Sequence, residues 1–148
     1  MGSSSNKVPI LLLIGGAILA LGAVAVKKFL LPVKGSIASG FGERINPITK
    51  VKEFHNGIDI EVPSGTSVIA PMSGMVANVY KTEVGGNQLV ISHTNGYTTG
   101  YAHLLKSLVS KGEKISKGQM IALSGATGQV TGAHLHFEVR LNGVPVNP

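Results

Sequence analysis

The chain contains no cysteine, which excludes both a disulfide framework and thiolate chemistry and leaves its redox compartment open. Aromatic residues are scarce, four phenylalanines and three tyrosines, and no stripe of lysine or arginine runs through the sequence, so a nucleic acid is not the expected partner. There is no internal repeat, and no low-complexity tract beyond the serine-rich start. Helix signals are nearly missing after the first thirty residues; only LLKSLVS, 104–110, has room for a helical turn or two. At 148 residues the chain can bury one core but hardly two, so one domain with one site is expected.

What is present divides into two parts. Val8 to Val26 is a run of nineteen residues without a charge, flanked by Lys7 and by Lys27 and Lys28. As a helix rising about 1.5 Å per residue, it is long enough for a hydrocarbon core of roughly 30 Å. The expected organisation is a polar start at 1–7, a transmembrane helix or signal-anchor at 8–28, a linker at 29–35 and a folded domain at 36–148. A cleaved secretory signal competes with the anchor, because AVA at Ala23 to Ala25 has the small-residue pattern of a cleavage site. The flanking lysines, counted alone, favour a cytoplasmic C-terminal part. From Lys34 onward eight lysines and two arginines face seven acidic residues, a mild excess compatible with a polyanionic surface such as a bacterial wall.

Beyond Gly35 the sequence reads as short strands separated by tight turns. TSVIAP and GMVANVYK are β-rich runs, NQLVISHTNGYTTGYAHL has the outline of a hairpin around Asn95-Gly96, and QMIALSGATG is a strand entering a glycine-rich loop. HLHFEVRLNGVPVNP closes the chain as a second hairpin around Asn142-Gly143. With twenty glycines, an all-β fold is expected, a small antiparallel sheet or sandwich preceded by one N-terminal transmembrane helix.

Five histidines occur, and four lie in stretches suited to chemistry. In HNGID, His55 and Asp59 stand four apart in a non-helical setting and share a face of an extended chain. An imidazole and a carboxylate both suit zinc, which in catalytic sites takes three protein ligands and keeps a position for water. The third ligand can come from HLHFE, where His134 and His136 share a strand face, or from YAHL, which carries His103. Hydrolysis also needs a base and an oxyanion donor, and the remaining imidazoles can serve as these. His93, beside a turn, reads as structural. Glu138 and Arg140 continue the strand period of His134 and His136, and a cross-strand ion pair explains them as well as a catalytic role does.

HNGID, YAHL and HLHFE, in that order with APMSGMV and GYTTGYAHL between them, closely resemble the LytM and lysostaphin-type zinc endopeptidases, metallopeptidase family twenty-three, which cut peptide bonds in bacterial peptidoglycan. SGFGERINP at 39–47 resembles the family's opening stretch, and the likeness spans about residues 35–148. It implies a lysostaphin-like, duplicated-hybrid-motif fold and one zinc ion per chain held by His55, Asp59 and His136. It further implies that His103 and His134 act on the water and the oxyanion; the Asn46 and Tyr101 side chains are candidates to line the groove. A wall substrate lies outside the cytoplasmic membrane, so the resemblance places the domain on the outer side, against the lysine count.

Three other readings bear on the same residues. A phage lysis or virion protein that opens the wall locally would share the chemistry. A non-catalytic module that binds wall peptide or activates an amidase predicts lost ligands, and all three are present. A lipoyl-like or sugar-carrier β-domain would make HLHFE an accident, and stoichiometric zinc would exclude it.

Overall fold

The computed structural model describes residues 10–14, 17–21 and 29–148. Its first strands are β1 (Ile10–Ile14), β2 (Ala17–Leu21), β3 (Ser36–Ser39), β4 (Gly42–Ile45), β5 (Lys52–His55), β6 (Ile58–Glu61), β7 (Ser67–Ile69) and β8 (Gly74–Thr82). They are followed by β9 (Gly86–Ser92), β10 (Tyr97–Leu104), β11 (Lys106–Ser107), β12 (Lys114–Ile115), β13 (Met120–Leu123), β14 (Leu135–Leu141) and β15 (Val144–Val146).

Period-two alternation builds the main sheet. Ile58 and Ile60, Leu89 and Ile91, and Leu135, Phe137 and Val139 are all buried, and the residues between them turn to the other face. The strands run antiparallel in the order β12-β8-β9-β10-β14-β6-β3, with β15 added beside β14. A second sheet, β11-β13-β7, contributes Val68, Ile121 and Ala122 to the same core, and β4 and β5 form a separate hairpin. Phe137, fully buried at the centre, packs its ring 5.5 Å from that of Tyr101. Phe137→Ala is expected to cost about 3–5 kcal/mol of stability, read as a lower urea midpoint at unchanged slope.

Three expectations need correction. β1 and β2 pair antiparallel with each other, so those ten residues of the expected helix over 8–28 are strands; the rest of that stretch lies outside the described residues. The apolar run is interrupted in sequence by Gly15-Gly16, a hairpin signal that competes with helix. Among the described residues no helix is long and apolar enough to cross a membrane. The stretch expected as helical turns at 104–110 instead holds the end of β10, the two-residue β11 and intervening bends, because Leu105 and Leu108 donate backbone bonds to Leu123 and Ile121. The stretch expected as a linker is packed on the domain: Val33 is buried, the Ile69 N–H donates to Pro32 O at 2.9 Å, and Phe29 meets Tyr97 edge-on at 5.3 Å.

The two hairpin turns differ. Asn142-Gly143 is a two-residue turn with both φ values positive, 49° and 81°, joining the paired Leu141 and Val144. At Asn95-Gly96 the turn takes in Thr94 as well, closed by the His93 N–H on Tyr97 O at 2.8 Å.

Candidate metal centre and active site

The face of the main sheet opposite the core forms the floor of an open groove of about 850 Å³. Strand register delivers the first two groups to it. His136 on β14 stands directly across from Asp59 on β6, which in turn stands across from Ser39 on β3. The His136 Nδ1 is 2.8 Å from Asp59 Oδ1.

His55 reaches the same point by a different route. Along one straight strand, four residues span about 14 Å, too far for His55 and Asp59 to share an ion. The chain instead breaks at Asn56-Gly57, leaving β5 for β6. Gly57 permits that break, because a Cβ there would meet Phe137 O at 2.3 Å. The His55 Nε2 ends 3.2 Å from Asp59 Oδ1 and 3.1 Å from His136 Nδ1.

The opposite edges of these side chains are all engaged. His55 Nδ1–H donates to Gly40 O at 2.7 Å, and His136 Nε2–H donates to Glu138 Oε1 at 2.9 Å. Glu138 is braced by Arg140, whose Nε and Nη2 both donate to Oε2 at 3.0 and 2.9 Å. The second oxygen of Asp59 accepts from Arg44 Nη1 at 2.9 Å, and Arg44 is tied in turn to Ser39 and Glu53. In their neutral tautomers, then, two imidazole lone pairs and a carboxylate oxygen face one another at the groove floor. Such a set is resolved only by a shared proton or a cation, and a nitrogen, nitrogen, oxygen donor set with outer hydrogen bonds suits zinc. His55, Asp59 and His136 could therefore hold the metal.

The protonation states agree. Burial disfavours charge on Asp59, but hydrogen bonds from His136 and His55 outweigh it and hold the carboxyl well below the usual carboxylate range. Burial likewise disfavours a charged His136, yet Asp59 and Glu138 on its two nitrogens push it up to about 9. Glu138 is lowered, chiefly by His136. Without metal, His136 thus carries a proton at neutral pH that an ion must displace. Zinc affinity is expected to rise about tenfold per pH unit between roughly pH 7 and 9, with about one proton released per ion, measured by calorimetry in buffers of different ionisation enthalpy.

His103 and His134 stand beside this cluster with ring centroids 4.8 Å apart. Each is oriented from behind, His103 Nδ1–H donating to Thr127 O and His134 Nδ1–H to Gly132 O, both at 2.9 Å. Both therefore present Nε2 to the groove, and His134 Nε2 lies 3.7 Å from Asp59 Oδ1. Strict alternation would point His103 into the core, since Ala102 is the residue opposite His136. A register shift between Tyr101 and Leu104 and a left-handed φ of 59° at His103 turn both Ala102 and His103 to the groove. Burial lowers the pKa of His103, and its neighbours His134 and His136 act in the same direction.

All five residues singled out in the sequence are thus brought together. Asn46 lines the groove and donates to Glu53 Oε2 at 2.7 Å. Tyr101 does not line it as expected: its side chain is buried on the core face, its hydroxyl bonded to Thr99 at 2.9 Å. Arg44 and Glu53 were not foreseen as part of the site; RINP in the opening motif carried the signal. Glu138 proves to hold His136 as well as Arg140.

Comparison with known proteins gives a consistent result. The profile of Peptidase family M23 matches residues 53–148. The peptidoglycan DD-endopeptidase ShyA of Vibrio cholerae is 45% identical over 124 residues, 83% of this chain and 29% of that protein. Among solved structures, a zinc-containing peptidase from Vibrio cholerae superposes with a TM-score of 0.76 at 44% identity, covering 82% of this chain and 39% of the other. The catalytic domain of lysostaphin from Staphylococcus simulans gives 0.69 at 31%, covering 77% and 89%. The chain spans less than a third of the length of the curated relatives it matches.

Proposed function

The chain belongs to peptidase family M23, and from that premise we propose that it is a zinc-dependent endopeptidase hydrolysing the peptide crosslinks of bacterial peptidoglycan. Relatives named DD-endopeptidases support a scissile bond between two D-configured centres. The observation that carries this reading is the convergence of His55 Nε2, Asp59 Oδ1 and His136 Nδ1 within 3.2 Å of one another, with two further imidazoles aimed at the same point. A long open groove suits an extended peptide.

His55, Asp59 and His136 would hold the zinc, which would supply Lewis acidity to the scissile carbonyl and to the attacking water. His103 and His134 divide the proton work. One Nε2 accepts the proton of the water and returns it to the leaving amine; the other, as N–H, donates to the developing oxyanion. The carbonyl of Thr127 or Gly132 behind the accepting ring keeps its Nε2 free, while the ring that donates to the oxyanion carries a proton on both nitrogens, its Nδ1–H still held by its own carbonyl. Glu138 and Arg44 hold His136 and Asp59 in place from outside. A wall substrate supports a location on the outer side of the cytoplasmic membrane.

The test is digestion of purified peptidoglycan by the zinc-loaded protein, with fragments identified by mass. Crosslinked dimers should give monomers in the presence of zinc and remain intact after chelation. Intact muropeptides from a protein that binds one zinc and pellets with the wall would replace this reading with a zinc-stabilised wall-binding module.

A further inference from the structure

Past His136 the groove floor continues along the sheet into a second depression of about 350 Å³. It is framed by Gln88 and Val90 of β9, Thr98 and Gly100 of β10, and Glu138 and Arg140 of β14. Gly100 sits at its centre, across from Val90 on one side and Glu138 on the other. Neither backbone nor packing demands a glycine here. Its φ is ordinary, and an added Cβ would touch only the Glu138 Cβ, at 3.6 Å. What the glycine does is leave the floor low beside the metal centre.

Arg140 closes the far end of this dip. Its Nε and Nη2 donate to Glu138 Oε2, and its Nη1 reaches Gly143 O at 3.3 Å. A guanidinium has five N–H groups, so one on Nη1 and one on Nη2 are left. Both face away from the Glu138 contact, an outer fork of donors open to a carboxylate. The side chain is 37% exposed, so the fork is reachable. Because Glu138 also accepts from His136, the line His136, Glu138, Arg140 fixes the fork relative to the reacting centre. The local charge permits an anion: Arg44, Arg140 and a divalent cation balance the groove carboxylates Glu53, Asp59, Glu61 and Glu138.

We propose that the depression at Gly100 is a substrate subsite in which Arg140 binds a free carboxylate of the peptide flanking the scissile bond. His136 and Arg140 are four strand residues apart, about 14 Å between Cα atoms, so the bound carboxylate lies within about four residues of the reacting carbonyl. The inference rests on the peptidase reading above and adds the substrate feature that the groove selects. Arg140 has two tasks in it, bracing Glu138 and meeting the substrate.

The test uses the zinc-loaded full chain and two crosslinked peptides that differ only in whether the carboxylates flanking the scissile bond are free or amidated. The free form should be preferred by about tenfold or more in kcat/KM, the size of a charge-assisted hydrogen bond, and the difference should lie in KM. In Arg140→Gln the preference should fall to about one. Gly100→Val, which fills the dip, should raise KM for the free form with zinc content unchanged. Should Arg140→Gln fail to retain zinc, Arg140→Lys, which keeps a charge beside Glu138 without the planar fork, decides by the same ratio. Equal cleavage of the two peptides by the unaltered protein overturns the subsite and leaves the peptidase reading standing. So does an Arg140 variant that slows both peptides by one factor and keeps the preference, since Arg140 is then a brace alone. Cleavage of neither peptide overturns the peptidase reading and the subsite with it.

Discussion

His136→Ala is expected to lower peptidoglycan cleavage by at least about a thousandfold, with chelation of the unaltered protein doing the same. The substitution removes the one imidazole that joins the two halves of the site. Asp59 loses a partner at 2.8 Å and Glu138 loses one at 2.9 Å. Asp59 is then left with Arg44, His55 and the more distant His134, and Glu138 with Arg140, across a widened gap, and an ion that needed three ligands has two. Bound zinc should fall from one per chain to near zero by elemental analysis, while the circular-dichroism spectrum stays that of a β protein, since Phe137 and the core face of β14 are untouched. A variant that kept its activity would remove His136 from the centre and with it the proposed mechanism.

The second large effect is expected at His103. His103→Ala should reduce kcat by about 10²–10⁴-fold, the usual contribution of a positioned proton-transfer group, and should leave zinc binding intact because its side chain is outside the ligand triad. The ring's surroundings add a pH signature. Burial and the neighbouring imidazoles lower its pKa, and a nearby cation acts in the same direction, so His103 stays neutral below the ordinary histidine value of about 6.5. The sign follows: activity that depends on a neutral His103 persists as pH falls through 6.5 and is lost only below it. His103→Asn is the control for backbone strain, because asparagine accepts the left-handed φ of this position more readily than alanine. Equal losses in the alanine and asparagine variants locate the effect in the lost imidazole; recovery by asparagine would locate it in the bulge.

The sequence disclosed the participants of the site better than their arrangement. Two histidines one residue apart on a strand announce a shared face, and the structure keeps that relation for His134 and His136. For His55 and Asp59 the same argument names the right residues for an insufficient reason: a shared strand face leaves them far apart, and the fold-back at Gly57 is what joins them. His103 violates strand alternation outright. Only the motif could single it out, because a bulge and a positive φ are not written in the hydrophobic period. Tyr101 shows the reverse error, a residue beside the motif whose alternation puts it in the core with Phe137. Arg44, Glu53 and Glu138 escaped notice as supports because an ion pair and an outer hydrogen bond to a ligand look alike until distances exist. The strand content was legible from the turn residues, whereas 104–110 was decided by backbone pairing with β13 that no local signal reveals.

The pairing of β14 with β6 has a consequence for timing. Asp59 and His136 are 77 residues apart in the chain, and β14 emerges during synthesis after every other strand of the domain except β15. Until β14 inserts between β10 and β6, the metal site lacks a member and the floor of the groove is missing. A hydrolytic centre laid out this way stays silent in a nascent chain, and contacts of such long sequence separation are slow to close. An ion that binds only the completed arrangement then favours it by mass action, so the metal would act as the fastener of the last step of folding.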